Sequence, residues 1–433
     1  MQLYSTNNPS LRVNLREAIF QGLPADNGLY MPVLIPVIPE SFIQNLDQYT
    51  FPEISFRLAK SLIGDEIPEN DLKGIVQRAI NFPAPVVPLE QRTFILELFH
   101  GPSLAFKDFG ARFMAETMSY FNRGAAKELT ILVATSGDTG GAVAAGFYQT
   151  PGIRVVILYP SGKVSPLQEK QLTTLGHNIT ALEVDGTFDD CQALVKQAFL
   201  DTDLRSRLRL SSANSINIAR LIPQIFYYWE AWKQLYREQD NIVFVVPSGN
   251  FGNLTAGLLA QKMGLPVRHF VAATNANNVV PKYLETGKFQ PHPSVRTISN
   301  AMDVGNPSNF ARMLDLFGST WNIMREHISG YAFTDDQTKE AMRTVYHAHK
   351  YVLDPHGAVG YLAWKAYKEK YPGSTGIILE TAHPAKFLED VETVLEQKIT
   401  IPKALTDISE KEKVAVPMSN DYEFFKKWLA VFE

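Results

Sequence analysis

The 433-residue sequence contains one cysteine, Cys191, so no disulfide can form within the chain. Chains without disulfides are typical of reducing compartments, and we therefore expect a cytoplasmic protein. The apolar runs are far shorter than the roughly 20 residues that a membrane-spanning helix needs. The first residues have neither the cationic segment nor the apolar core of a signal peptide, and no Arg-rich transit segment. These absences argue against a secreted, imported or membrane-spanning protein.

The chain also has no excess of positive charge, since the formal net charge is −4, and no basic run with interleaved aromatic residues occurs. A chain of this kind has no general attraction for nucleic acid, so an anionic ligand must be bound by local groups. His347 and His349 are two residues apart and cannot share one helix face, so we predict no metal site there.

The sequence predicts an α/β protein of open, mostly parallel sheets with helices on both faces, because strand-like and helical segments alternate after residue 90. Before that point, short helices (55–63 and 71–80) are broken by prolines, and the proline-rich residues 83–88 predict a linker. We expect a smaller, mostly helical N-terminal domain (1–90), a catalytic α/β region (91–400) and a C-terminal appendage (401–433). The predicted strands are 129–133, 154–158, 178–184, 242–246, 267–272 and 376–379, and the predicted helices are 165–175, 188–199 and 217–236.

Lys107 stands among apolar and turn residues, from His100 to Phe109, where a helix is predicted to begin. An amine in partly dry surroundings loses its proton more easily, and a neutral amine can form a Schiff base with a carbonyl. A lysine near a helix start is more often a solvated surface residue, so this segment alone leaves both interpretations open.

Two glycine-rich turns each follow a β-branched strand and precede a helix. Backbone N–H groups at such helix starts attract phosphate or carboxylate. The second turn is predicted to bind a phosphate, although it is neither a Walker loop nor a dinucleotide-binding turn. The two turns contain Thr135, Ser136, Gly137, Asp138, Thr139, Gly140 and Gly141, and Ser248, Gly249, Asn250, Phe251, Gly252 and Asn253.

Together with other segments, these stretches resemble the threonine synthases, pyridoxal-phosphate enzymes of the tryptophan-synthase-β fold type (fold type II), over nearly the whole chain. Broader relatives share the lysine segment and the phosphate turn, whereas the N-terminal stretch and the 303–310 segment point to threonine synthase itself. The matching stretches are 17–30, 103–108, 136–141, 211–220, 248–253, 303–310 and 354–357.

The resemblance implies a role for each matching residue. Lys107 would bind the cofactor as a Schiff base and later transfer protons, the turn from Ser248 to Asn253 would bind the cofactor phosphate, and Thr381 would contact the pyridine nitrogen. Asp138 stands where the wider fold type usually has an asparagine near the phenolic oxygen of the cofactor. The active site would lie between two subdomains of residues 91–400.

The implied substrate is O-phospho-L-homoserine, which a γ-elimination followed by addition of water at the β carbon would convert to L-threonine and phosphate, the last step of threonine biosynthesis. The α-carboxylate would bind to Thr135, Ser136, Gly137, Asp138 and Thr139. Candidates for the substrate phosphate are Lys163, Asn217 and Arg220, although Asn217 also fits an ordinary helix N-cap. No nucleic-acid or membrane partner is expected, and the sequence leaves monomer and homodimer open.

Two alternatives remain open at this stage. Another pyridoxal-phosphate enzyme, such as a threonine or serine dehydratase or a lyase acting on phosphorylated amino alcohols, would share Lys107 and the phosphate turn. An inactive relative that binds phosphorylated ligands would share the fold without the reaction, although an intact Lys107 argues against it.

Overall fold

A computed structural model describes residues 1–432 of the chain. The N-terminal region combines a small antiparallel sheet, of order β2-β1-β3, with four helices. Helix α3 begins at Phe51, before the predicted residue 55, because the Glu53 carboxylate accepts a 2.8 Å hydrogen bond from Thr50 N–H at the helix start. The elements are β1 (Gln2–Ser5), β2 (Arg12–Asn14), α1 (Leu15–Gln21), β3 (Tyr30–Pro32), α2 (Glu40–Ile43), α3 (Phe51–Ile63) and α4 (Glu69–Ala79).

Eleven further strands form two larger sheets, and all six predicted strands are confirmed within two residues at either end. They are β4 (Val86–Glu90), β5 (Thr93–Glu97), β6 (Leu129–Ala134), β7 (Ile153–Pro160), β8 (Ile179–Asp185), β9 (Arg209–Ser212), β10 (Ile242–Pro247), β11 (His269–Thr274), β12 (Ile328–Ala332), β13 (Thr375–Glu380) and β14 (Val416–Ser419).

The first large sheet has the order β12-β11-β10-β13-β5-β4, and every pair in it is parallel except β4 with β5. The prediction of a linker over 83–88 is wrong in its second half, because Val86, Val87 and Pro88 lie in β4. Proline cannot donate to a neighbouring strand, and β4 tolerates Pro88 because it is the edge strand.

The second large sheet has the order β14-β8-β7-β6-β9 and is parallel throughout. Every residue of β6 and of β10 is buried, as expected for parallel strands covered on both faces. Strand β14 lies in the tail predicted as an appendage, where it pairs with β8 and completes the sheet.

Helices cover both faces of the two sheets. The predicted helix over 217–236 is two helices, because Pro223 lacks the N–H that would continue the first. Among residues 1–432, no helix is both long enough and apolar enough to cross a membrane. The helices are α5 (Lys107–Asn122), α6 (Asp138–Phe147), α7 (Pro166–Thr173), α8 (Phe188–Leu200), α9 (Thr202–Arg207), α10 (Ile218–Leu221), α11 (Gln224–Leu235), α12 (Gly252–Lys262), α13 (Val279–Thr286), α14 (Phe310–Leu316), α15 (Trp321–His327), α16 (Asp335–His349), α17 (Pro355–Lys370), α18 (Leu388–Leu395), α19 (Lys403–Ser409) and α20 (Tyr422–Leu429).

Candidate active site

The segments singled out in the sequence follow parallel strands of the two large sheets. Lys107 comes after β5, Thr381 after β13 and Ser248 after β10, and these strands are neighbours in the order β10-β13-β5. The Thr135–Gly141 turn follows β6 of the second sheet. Because carboxyl ends of parallel strands share one edge of a sheet, each sheet presents these segments at its carboxyl edge, which is where open α/β sheets generally bind ligands.

The residues before Lys107 pair with the residues after β13. Phe106 N–H donates to Thr381 O at 2.8 Å, and His383 N–H donates to Leu104 O at 3.0 Å. Ala105 and Ala382 form an antiparallel bridge between these bonds. The backbone therefore holds Lys107 and Thr381 at fixed positions relative to one another.

The amine of Lys107 lies 3.7 Å from the Asp138 carboxylate, and 16% of the lysine side chain is exposed. Burial lowers the pKa of Lys107 from its ordinary value, and the ammonium of Lys386 lowers it further, whereas Asp138 opposes both effects. The amine is thus prepared to lose its proton, as a nucleophile that forms a Schiff base requires.

The Asp138 carboxylate lies next to three side chains, those of Lys107, Lys386 and Gln168. Its Oδ1 lies 2.8 Å from Lys386 Nζ and accepts a 2.9 Å hydrogen bond from Gln168 Nε2. Burial alone would raise the pKa of Asp138, but the ammonium groups of Lys386 and Lys107 outweigh it and hold that pKa well below its usual range. Asp138 is therefore an ionised carboxylate that accepts hydrogen bonds, whereas an asparagine could also donate one.

The Thr135–Gly141 turn is held in shape by Thr135. Its hydroxyl accepts hydrogen bonds from Gly137 N–H at 3.0 Å and from Gly140 N–H at 2.8 Å. Gly137 has a φ of 140°, and a Cβ there would lie 2.7 Å from the Gln168 side chain. Asp138 and Thr139 are the first two residues of α6, so their N–H groups precede the first hydrogen bond within the helix and can bind an anion.

The turn after β10 is shaped by its own side chains. Ser248 Oγ and Asn253 Oδ1 are 3.0 Å apart, and Asn253 Nδ2 donates to Pro247 O at 2.8 Å. Phe251 is in the left-handed region with a φ of 59°, and α12 begins directly after it. The turn therefore directs the start of an 11-residue helix toward the edge of the sheet.

Residues 300–309 pack closely against this turn. A Cβ on Gly249 would lie 2.7 Å from Met302 Cα and 2.8 Å from Ala301 O, so no larger residue fits. Asn250 Nδ2 donates to Ser215 Oγ at 2.6 Å, and Asn250 Oδ1 accepts a bond from Ser308 N–H, also at 2.6 Å.

Asn309 supplies a buried donor beside the turn. Its Nδ2 has no hydrogen-bond partner within residues 1–432, and it lies 3.5 Å from the position that a Cβ on Gly252 would occupy. Arg312 Nη1 donates to Asn309 Oδ1 at 2.7 Å and thereby orients the amide. A buried donor without a partner is costly, so this atom is suited to a bound acceptor such as a phosphate oxygen.

Two buried acids support the end of β13. Asp354 caps α17 by accepting hydrogen bonds from His356 N–H and Gly357 N–H, and its other oxygen accepts a 3.1 Å bond from Ala382 N–H. Glu380 Oε1 accepts a 2.6 Å bond from Asp354 N–H. Burial raises the pKa of Glu380 well above its ordinary value, which favours the neutral form of this acid.

The three candidates for a substrate phosphate site have different surroundings. Arg220 is 2% exposed and donates to Ala213 O at 2.6 Å, while its Nε has no partner in the described part of the chain. Asn217 uses its amide for structure, because Nδ2 donates to Ile19 O and Ser212 O and Oδ1 caps α10. Lys163 is exposed and donates to Gly186 O at 2.9 Å.

Sequence reasoning missed Lys386, Gln168 and Asn309. Lys386 follows Thr381 by five residues, between Ala385 and Phe387, and a lysine in apolar surroundings after a strand was the available signal. Asn309 lies in the 303–310 segment, but nothing local indicates that its amide lacks a partner. Gln168 has no distinguishing signal in the sequence.

Comparison with known proteins agrees with this geometry. Family models match residues 2–80 (threonine synthase N terminus), 80–380 (pyridoxal-phosphate dependent enzyme) and 357–428 (threonine synthase, C-terminal). The chain is 49% identical to a threonine synthase of Serratia marcescens over 94% of this chain and 93% of the other, and 46% identical to that of Escherichia coli over 99% of both.

Solved structures give the same result. The crystal structure of threonine synthase from Escherichia coli is 45% identical and superimposes over the full length of both chains with a TM-score of 0.93. The pyridoxal-phosphate-bound threonine synthase from Brucella melitensis, 32% identical, gives a TM-score of 0.93 over 100% of this chain and 99% of the other. Because family models match nearly the whole chain and relatives of this name are 46–49% identical over almost its full length, the chain belongs to the threonine synthase family of pyridoxal-phosphate-dependent enzymes.

Proposed function

We propose that the chain converts O-phospho-L-homoserine and water to L-threonine and phosphate, with Lys107 as the residue that binds pyridoxal phosphate. The position of the Lys107 amine supports this proposal most strongly. It lies in a partly dry site, 3.7 Å from Asp138 in one anion-binding turn, at the same sheet edge as the Ser248–Asn253 turn. The substrate carries a carboxylate and a phosphate, so it requires two anion sites in addition to the one that would hold the cofactor phosphate.

The residues present fit the cofactor. The Lys107 amine would bind its aldehyde, and Ser248, Gly249, Asn250, Phe251, Gly252 and Asn253 would hold its phosphate, with the unpartnered Asn309 Nδ2 as an additional donor. The hydroxyl of Thr381 would contact the pyridine nitrogen. The bound cofactor supplies an electron sink for a carbanion at the substrate α carbon.

The substrate would lie between the two turns. Thr135, Ser136, Gly137, Asp138 and Thr139 would bind its α-carboxylate, mainly through the N–H groups at the start of α6. Arg220 would bind its phosphate through the free Nε side of the guanidinium. Lys163 and Asn217 are weaker candidates, because the first is exposed and the second caps α10.

The amine of Lys107 would carry the proton transfers. After the substrate amine has taken its place, Lys107 Nζ would remove a proton from the α carbon and then one from the β carbon, which would allow phosphate to leave the γ carbon. A proton returns to the γ carbon, and water adds at the β carbon. Burial of the amine supports this role, since a general base works best with a pKa near the working pH.

The test is turnover of O-phospho-L-homoserine by the purified protein with pyridoxal phosphate, with released phosphate and threonine measured in the same sample. Lys107→Ala should lose both products by roughly 10²–10⁴-fold or more. Borohydride reduction should fix the cofactor on the Lys107 peptide in mass spectra of the unsubstituted protein. The matched control is Lys60→Ala, which removes a lysine paired with Asp65 on the surface of α3 and should leave both products unchanged.

Three other outcomes would contradict the proposed function or the proposed site. Ammonia and a keto acid in place of threonine would indicate a dehydratase. Cofactor binding without any product from this substrate would indicate a relative that only binds its ligand. Cofactor fixed on a lysine other than Lys107 would contradict the proposed site.

A further inference from the structure

Lys386 is a second lysine of the site, and it is fully buried. It lies in the short 3₁₀ helix Pro384–Phe387 after β13, and its side chain is 0% exposed. Its Nζ lies 2.8 Å from Asp138 Oδ1 and donates to Ser103 O at 2.8 Å. Burying an ammonium is costly unless a carboxylate and further acceptors surround it, and both are present here.

One carboxylate therefore faces two lysine amines at unequal distances. Lys386 is within hydrogen-bond distance of Asp138, whereas Lys107 is 3.7 Å from the other carboxylate oxygen, beyond a normal hydrogen bond. We propose that Lys386 is a positioning residue, which holds the Asp138 carboxylate and so leaves the Lys107 amine free to react. Without Lys386, Asp138 would pair with Lys107 and stabilise its ammonium form.

The other charged groups around the two amines do not reverse this effect. Arg220 faces Lys107 and, like Lys386, favours the neutral amine. Asp108 interacts with both Lys386 and Arg220, and the pKa of His383 is lowered mainly by burial, with a smaller contribution from the Lys386 charge. Asp138 is thus the carboxylate that forms ion pairs with both lysines.

Lys386→Met is a suitable variant because it leaves no carbonyl without a donor. Ser103 O also accepts a 3.0 Å hydrogen bond from Gln171 Nε2, so it keeps a partner when the ammonium is removed. Asp138 keeps the bond from Gln168. Methionine fills a volume similar to that of lysine, so the main change is the lost charge.

The experiment measures the reactivity of Lys107 against pH in the full-length chain freed of cofactor. Trace acetylation followed by peptide mass spectrometry gives the fraction of Lys107 labelled at each pH. In Lys386→Met the midpoint of this profile should move up by about 1 pH unit, because one attractive carboxylate now faces a single amine. Lys386→Arg should keep the unsubstituted profile.

Two further variants make the test independent of folding defects. Asp138→Asn alone should lower the midpoint of the Lys107 labelling profile. The double variant Lys386→Met with Asp138→Asn should have a lower midpoint than Lys386→Met alone. The control is Lys233→Met on α11, which removes another largely buried lysine that contacts a carboxylate, Glu230, and a carbonyl, Tyr49 O, and it should leave the profile in place.

An unchanged profile in a folded Lys386→Met, or an equal upward shift in Lys233→Met, would overturn the proposal. If Lys386→Met does not fold, a profile of Asp138→Asn that fails to move down would overturn it instead. The inference rests on the proposed role of Lys107. The labelling experiment needs neither cofactor nor substrate. A result that overturns the role of Lys386 can therefore be distinguished from an absence of turnover, which would overturn the proposed function.

Discussion

The backbone N–H of Phe106 donates a 2.8 Å hydrogen bond to the carbonyl of Thr381, which joins the start of α5 to the end of β13. These two residues are far apart in the chain. Phe106 directly precedes Lys107, which is proposed to bind the cofactor, and Thr381 is itself a proposed cofactor contact. Because Asp354 also accepts a bond from Ala382 N–H, the cap of α17 is attached to the same unit. The site is therefore preorganised by backbone bonds, and changes in its packing should affect cofactor binding directly.

Gly249→Ala should weaken cofactor binding by roughly 10-fold or more, because the new methyl group would meet backbone atoms of Met302 and Ala301 that cannot move aside cheaply. The measurement is the dissociation constant of pyridoxal phosphate by absorbance titration. Gly373→Ala is the control, since no atom lies within 4 Å of a Cβ at that position. Equal affinities in all three proteins would contradict the prediction.

Asp108→Asn should change how stability depends on pH. Burial raises the pKa of Asp108 from 3.8 to about 6, so the folded chain binds this proton more tightly than the unfolded chain. Ionisation therefore weakens the folded state as the pH rises from about 4 to about 6, and the effect is constant above that range. The free energy of unfolding of the unsubstituted chain minus that of D108N should fall by about 3 kcal/mol across this window.

Urea unfolding of both proteins at successive pH values measures this difference. The variant cannot ionise at this position, so it serves as its own reference for all other titrating groups. Parallel stability curves for the two proteins between pH 4 and pH 7 would show that folding does not raise the pKa of Asp108.

Phe425→Ala should destabilise the protein by about 3–5 kcal/mol, because this side chain is fully buried on α20 in the core of the second large sheet. Phe424→Ala is a matched control at the neighbouring position, where 54% of the side chain is exposed, and it should cost far less. Thermal unfolding of both variants provides the measurement. Equal losses of stability in the two variants would mean that α20 does not contribute to the core of the second large sheet.

Arg220→Lys should raise KM for O-phospho-L-homoserine by roughly 10-fold or more, because an ammonium cannot replace the bidentate guanidinium at a phosphate. The absorbance of the bound cofactor should stay unchanged. Initial rates against substrate concentration separate KM from kcat. Arg209→Lys is the control, since Arg209 contacts Asn122 and Lys127 O. An unchanged KM would remove Arg220 from the substrate phosphate site.

Local patterns in the sequence predicted the segments of the site better than its contacts. The strand, glycine-rich turn and helix around Asp138 and Ser248 are confirmed, because β-branched runs and turn residues act over a few positions. Contacts between distant segments could not be predicted in this way. Lys386 forms an ion pair with Asp138 although the two residues are 248 positions apart, and no local pattern in the sequence indicates this pair.

The remaining errors have the same origin. Residues 83–88 have the composition of a linker, but β5 offers an unpaired edge that Val86 and Val87 join. Asn217 could bind a ligand or cap a helix, and only the fold shows that its amide is already used. The limits of the three domains, at residues 90 and 400, stay a prediction.

The order of strands has a consequence for synthesis of the protein. The first large sheet pairs β5, at residues 93–97, with β13, at residues 375–380, and the second pairs β8 with β14, at residues 416–419. The first sheet cannot be completed until β13 has left the ribosome, and the second cannot be completed until β14 has. Until then β5 and β8 present unpaired edges, which are the kind of surface through which partly folded chains aggregate.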